Sequence, residues 1–207
     1  MRIIAGEFGG RQLLPPEGET TRPITDRVKQ SLFDIVAPLI EGAVVYDLFA
    51  GTGSLGLESL SRGAKLAYFF EADRSALARL NQNIMALRVA DRSRIIPGDL
   101  FKWFERSTVR PDPAGPSGAE IIFLDPPYRF LRDRGDEIVQ LVFHLSHGHL
   151  KPNSTVVFRH DANDELPLPK LDRYDVREYG GMTLEFFRPP PQASSEHEQV
   201  ANVTPSS

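Results

Sequence analysis

Cysteine is absent from all 207 residues, which excludes disulfide scaffolding, thiolate nucleophiles and Cys-ligated zinc. No apolar run approaches the ~20 residues that span a bilayer. The opening Met1-Arg2-Ile3-Ile4-Ala5-Gly6-Glu7 lacks the apolar stretch of a secretory signal, so the expectation is a cytoplasmic protein that does not enter membranes. A basic excess is missing too: 24 Lys and Arg stand against 28 Asp and Glu, a net charge of −4. A protein that grips bare nucleic acid by phosphate neutralisation alone is usually basic, so any such contact here rests on a local patch. No internal repeat is visible. What remains is an ordinary globular balance, 41% hydrophobic and 25% charged, in a length that suits one compact domain with a small appendage.

Residues 1–24 are rich in Gly, Pro and Thr, and Arg2-Ile3-Ile4-Ala5 faces Arg11-Gln12-Leu13-Leu14 across Gly9-Gly10. That pattern reads as a β-hairpin or a mobile arm. Thr25 predicts a helix N-cap with Asp26 in the first turn, followed by one apolar stripe of Val28, Leu32, Ile35, Val36 and Leu39. From Ala43 strand and helix patterns alternate. Residues 44–49, 66–70, 94–96, 121–124 and 155–158 read as strands. Between them lie helices over 54–61 and 75–87 and a third carrying Ile138, Leu141, Val142 and Leu145. Residues 174–178 and 184–187, joined through Gly180-Gly181, read as an antiparallel hairpin. The expected fold is α/β: a seven-stranded, mostly parallel sheet with that hairpin closing one edge and helices on both faces. Residues 107–118 read as a loop insertion and 189–207 as a disordered tail, which leaves 25–188 as the main domain.

Between the first strand and its helix stands Asp47-Leu48-Phe49-Ala50-Gly51-Thr52-Gly53-Ser54-Leu55-Gly56. Gly51, Gly53 and Gly56 satisfy G-x-G-x-x-G, and Glu71 lies 20 residues beyond Gly51 at the end of the second strand. Glycines allow a tight turn and close approach to a ligand, and an acid at that distance can accept from ribose hydroxyls, so a nucleotide or nucleoside cofactor follows. Asp47 narrows the choice. A carboxylate four residues before the first glycine repels a pyrophosphate and favours a cation, and the amino and sulfonium groups of S-adenosylmethionine are both positive. Asp99 is a third acid on the same rim, able to accept from an adenine amine with Leu100 beside the ring; a solvated loop acid is an equal reading.

Asp125-Pro126-Pro127-Tyr128 ends the fourth strand, where open α/β sheets bind ligands. Consecutive prolines remove two N–H donors, so the loop offers carbonyls and a carboxylate without competition. Such a surface suits an exocyclic NH₂, and the Tyr128 ring can stack on a planar base, worth ~1–3 kcal/mol.

Asp47-x-Phe49-x-Gly51-x-Gly53 with Asp125-Pro126-Pro127-Tyr128 resembles the amino-methyltransferase branch of the S-adenosylmethionine-dependent Rossmann-like enzymes. Arg2-Ile3-Ile4-Ala5-Gly6, Gly10-Arg11, Thr21-Arg22-Pro23, Asp26-Arg27-Val28 and Leu32-Phe33 are similar to the RsmD-type methyltransferases, and the likeness covers residues 1 to about 188. It implies methylation of a guanine N2 in the RNA of the small ribosomal subunit, assembled or assembling. It further implies Asp125, Pro126, Pro127 and Tyr128 at the reaction centre and Asp47, Phe49, Gly51, Gly53, Glu71, Asp99 and Leu100 around the cofactor. Adenine-N6 methylation, methylation of a protein glutamine amide and a non-catalytic assembly factor are the alternatives. Arg2, Arg11, Arg22, Arg27 and Lys29 are candidate RNA contacts, although residues 1–30 carry a net charge of only +1. His144, His147 and His149 sit at a helix end, where the helix dipole accounts for them without a metal. A monomer is expected.

Overall fold

The computed structural model describes residues 1–17, 24–109 and 116–191. Seven strands form one sheet in the order β3-β2-β1-β4-β5-β7-β6. Five of them, β1 (Val44–Leu48), β2 (Leu66–Glu71), β3 (Ser93–Pro97), β4 (Ala119–Leu124) and β5 (Leu150–Asp161), are mutually parallel. Strands β6 (Asp172–Glu178) and β7 (Met182–Arg188) form the hairpin, with β7 antiparallel to β5 and β6 at the edge. Helices α1 (Asp26–Ile40), α2 (Ser54–Ser61) and α3 (Arg74–Leu87) bury their apolar stripes on one face. On the other face lie α4 (Leu100–Val109), α5 (Arg129–Asp133) and α6 (Gly135–Ser146).

Thr25 caps α1 as its sequence predicts, its side chain accepting from the Val28 amide at 3.4 Å. The stripe behind it is wider than expected, because Phe33 and Ile40 are buried as well. Helix α4 departs from the sequence reading. Residues 107–109, read as part of a loop, are helical, since Leu100 and Phe104 at i and i+4 give the helix a buried face too short to stand out as a periodic run. Residues 110–115 of that segment, Gly18 to Pro23 with the candidate Arg22, and 192–207 of the expected tail lie outside the described residues. Strand β5 is longer than expected because Leu150 pairs with Ala119 beyond a register shift and polar Arg159, His160 and Asp161 continue its pairing with β7 past the apolar centre. Among the described residues no helix is long and apolar enough to cross a membrane.

The arm is a docked hairpin. Arg2 bridges Gln12, the Ile3 amide donates to the Arg11 carbonyl at 2.9 Å, and Ile3 is fully buried. The amides of Ile4 and Ala5 donate to the two oxygens of Glu58 at 2.7 and 3.0 Å. That carboxylate, fully buried on α2, also accepts from Arg62 Nε at 2.8 Å and faces Lys29 Nζ at 3.1 Å. Lys29 completes the junction by donating to the Arg2 carbonyl at 2.5 Å. It is therefore no RNA contact: only 1% of it is exposed, because its position on α1 faces the arm and α2. Asn83 on α3 makes a second fastening. Its side chain accepts from the Leu14 amide at 2.8 Å and donates to the Leu14 carbonyl at 3.3 Å and the Thr52 carbonyl at 2.9 Å.

Removing one member of a buried ion pair leaves the other uncompensated, at a cost of about 3–5 kcal/mol. Glu58→Gln keeps the shape and deletes the charge, so it is expected to lower the urea midpoint by that equivalent at an unchanged m-value.

Candidate functional site

The chain leaves β1 toward β2 on one side, and β4 leaves toward β5 on the other, so a crevice opens between their carboxyl ends. Side chains alternate across a sheet, and Val45, Asp47, Phe123 and Val157 all point to the α1–α2–α3 face. Two further positions on the same alternation, Asp125 and Arg159, follow at the ends of β4 and β5. Carboxyl groups thus gather at one rim.

Two adjoining cavities occupy it. One of about 220 Å³ is lined by Met1, Pro16, Ile24, Asp47, Ser54, Leu55, Pro126, Tyr128 and Arg159. The other, about 470 Å³, is lined by Glu71, Asp73, Asp99, Leu100, Phe101, Phe130 and Arg134. Pro16, Phe49, Gly51, Asp125, Pro127 and Arg129 border both. The larger has walls for a flat ring: Phe49 lies edge-on to Phe101 and Phe130 at 5.8 and 5.7 Å between centroids. The Arg134 guanidinium stands 4.4 Å from the Phe101 centroid. Arg134 itself is held by Glu137 at 2.8 and 2.6 Å.

The glycine loop has a separate physical reason at each position. Gly51 turns with φ +55° and a Cβ there would meet open space, so its backbone faces the cavity. A Cβ on Gly53 would lie 2.5 Å from Leu80, and one on Gly56 would lie 2.3 Å from Phe69 and 3.1 Å from Asp47. These two glycines let α2 close onto α3 and β2. Phe49 takes the left-handed region at φ +62°, a conformation that costs a non-glycine residue about 1–2 kcal/mol.

Asp47 is 2% exposed and accepts from the Gly56 amide at 2.8 Å. Burial pushes its carboxyl well above the usual range; the Gly56 amide opposes this, while the Asp125 and Glu71 carboxylates add to it. The free carboxylate expected from the sequence is thus a buried group inclined to hold its proton, because the flanking strands β2 and β4 and helix α2 shield it from water. Glu71 is also engaged. One oxygen accepts from the Gly51 amide at 2.6 Å, the other from Ala72 and Asp73 at 2.8 and 2.7 Å, so it grips the glycine loop as well as lining the cavity. Asp99 caps α4 through the amides of Phe101 and Lys102 at 3.0 and 3.4 Å.

In the Asp125 loop, the Pro127 carbonyl accepts from the Phe130 amide at 2.7 Å and starts α5. Arg159 Nε donates to Asp125 Oδ1 at 2.6 Å, a partner that nothing in the sequence reading identified. The remaining candidates are dispersed. Arg2 pairs with Asp26 at 2.7 Å, Arg11 reaches the Ala86 carbonyl at 3.5 Å, and Arg27 is exposed on α1. His149 is buried beside Tyr46, Trp103 and Phe104, and burial pulls it down to about 4, a neutral core histidine. Among the described residues no group of three or more His, Asp or Glu has the disposition of a metal site.

Crowded carboxyl groups, an open glycine backbone and an aromatic-walled groove fit a cationic adenosyl ligand. A family model described as "Conserved hypothetical protein 95" matches residues 1–188. Ribosomal RNA small subunit methyltransferase D of Escherichia coli (strain K12) is 33% identical over 167 residues, 81% of this chain and 78% of that protein. The solved structure of yhhF from Escherichia coli superimposes with a TM-score of 0.76 at 30% identity, covering 93% of this chain and 99% of that one. An RNA methyltransferase from Salinibacter ruber in complex with S-adenosyl-L-homocysteine shares the fold, with a TM-score of 0.58 at 17% identity, covering 86% and 100%.

A raised Asp47 means that the folded state binds more protons than the unfolded chain, so its contribution to stability falls as pH rises from the ordinary carboxylate range. Asp47→Asn is expected to remove that slope and to gain in melting temperature over the parent as pH increases. A cation entering the site favours the ionised form. Calorimetry of S-adenosylmethionine binding in buffers of different ionisation enthalpy is expected to register proton release that Asp47→Asn lacks.

Proposed function

The chain belongs to the family described as conserved hypothetical protein 95, and from that membership we propose that it methylates the exocyclic N2 amine of a guanine in small-subunit ribosomal RNA, on an assembled or assembling subunit. It is an S-adenosylmethionine-dependent methyltransferase of Rossmann-like fold. The observation that carries the reading is the position of Asp125-Pro126-Pro127-Tyr128: Asp125 and Pro127 border both cavities, so an amine held there lies against the cofactor groove.

When bound, S-adenosylmethionine supplies a methyl group activated by its sulfonium. The residues that would hold it are Asp47, Phe49, Gly51 and Gly53 on the glycine loop, Glu71 at the end of β2, and Asp99 and Leu100 at the start of α4. An aromatic amine is a poor nucleophile because its lone pair is delocalised into the ring. The Asp125 carboxylate and Pro126 carbonyl accept its two hydrogens and favour a pyramidal nitrogen. Positioning of this kind accounts for up to about 7–11 kcal/mol of barrier reduction. As the new N–C bond forms and the methyl–sulfur bond breaks, leaving the neutral thioether, Asp125 would take the departing proton, an effect of roughly 10²–10⁴-fold. The Tyr128 ring, half-buried at the cavity wall, offers a stacking face to an extruded base.

Residues 1–30 carry a net charge of only +1, which suits a substrate already folded within a ribonucleoprotein particle, where shape and protein contacts add to recognition. We place the protein in the cytoplasm as a monomer. Adenine-N6 and glutamine-amide methylation share the clamp chemistry, but the similar proteins' names point to ribosomal RNA.

Labelled methyl transfer is expected on small ribosomal subunits and not on DNA or a glutamine-bearing protein. Asp125→Ala is expected to reduce it at least ~10²-fold while S-adenosylhomocysteine affinity stays within about twofold. Full activity in that variant refutes the assignment.

A further inference from the structure

Arg159 has no role in the reaction as described so far, yet its guanidinium touches the proposed reaction centre through Asp125. Strands β4 and β5 pair Leu124 with Phe158, and the next position along places Asp125 beside Arg159. Its side chain is 9% exposed, with Nε 2.6 Å from Asp125 Oδ1 and Nη1 3.9 Å from Met182 Sδ. Its guanidinium carbon stands 5.8 Å from the centroid of the Tyr128 ring, within cation–π range. Burial works against the charge, and the Asp125 carboxylate more than offsets this, so the guanidinium stays protonated.

We propose that Arg159 is a positioning residue for the methyl acceptor, orienting the Asp125 carboxylate and the Tyr128 ring against which the amine is presented. This rests on the function proposed above. The terminal torsion of an aspartate is broad, so an unrestrained carboxylate spreads its acceptor atoms over an arc. A guanidinium Nε–H has a fixed direction, and its bond to Oδ1 sets the plane of the group. One oxygen is then committed to the cation, and the incoming amine takes the other. Stability alone does not account for the pair, because apolar residues of similar volume commonly serve a buried position as well or better.

The test compares the parent with Arg159→Met and Arg159→Lys, using small ribosomal subunits as the methyl acceptor. For Arg159→Met the melting temperature is expected to fall, as the loss of one member of a buried pair requires, while the calorimetric affinity for S-adenosylhomocysteine holds within about twofold and kcat falls on the order of 10²-fold at little change in KM. Arg159→Lys, which keeps the charge without the fixed fork, is expected to recover part of that loss. A parent-like kcat in Arg159→Met, or an equal loss in cofactor affinity, overturns the proposal. Should Arg159→Met fail to fold, Arg159→Gln carries the same comparison. Crystal structures decide the point without turnover: Asp125 is expected in one rotamer in the parent and in several in the variant, and a single unchanged rotamer overturns the proposal. Absence of transfer by the parent would count against the RNA reading alone.

Discussion

One buried carboxylate, Glu58, joins three separate parts of the chain. It receives two amides from the arm, a guanidinium from Arg62 just past the end of its own helix and an ammonium from α1. Helix α2 begins at the glycine loop, so whatever is fastened to Glu58 is registered against the floor of the crevice. The arm supplies Met1 and Pro16 to the cavity wall, and Asn83 repeats the fastening from the other side by linking Leu14 to Thr52. Roof and floor therefore share one frame. A buried charge demands such saturation, because any donor lost leaves a group that water cannot reach.

The rim itself solves a repulsion problem. Asp47, Glu71 and Asp125 stand at the ends of three neighbouring strands, and the Glu71 and Asp125 carboxylates disfavour charge on Asp47. Each is accommodated differently. Glu71 is satisfied by three backbone amides, Asp125 by the Arg159 guanidinium, and Asp47 by burial that favours its neutral form. The same fold thus holds a structural acid, a paired acid and one that burial inclines toward its neutral form within a single crevice, and the environment of each, not its residue type, separates their roles.

Much of this was legible in the order of residues. The strand–helix alternation, the glycine spacing and the Asp-Pro-Pro-Tyr run are local patterns, and local patterns survive without knowledge of tertiary contacts. Helix α2 matched its expected bounds because Gly53 and Gly63 punctuate it. Three features needed the fold. Lys29 looks like any helical cation until the arm carbonyl and Glu58 are brought to it. Asp47 looks like an exposed charge until two strands and a helix cover it. Arg159 stands 34 residues from Asp125, and only the parallel register of β4 and β5 makes them partners. Helix α4 was hidden for a different reason: its buried face, Leu100 and Phe104, is too short to show a period.

The grip of Glu71 on the Gly51 amide has a kinetic side. A loop already clamped by a side chain of the next strand needs no ordering when a small molecule arrives, so little conformational entropy is lost on capture. Admission to such a cradle is governed by how quickly molecules collide with its mouth. Selectivity between charged and uncharged sulfur compounds then shows itself in how long each one stays.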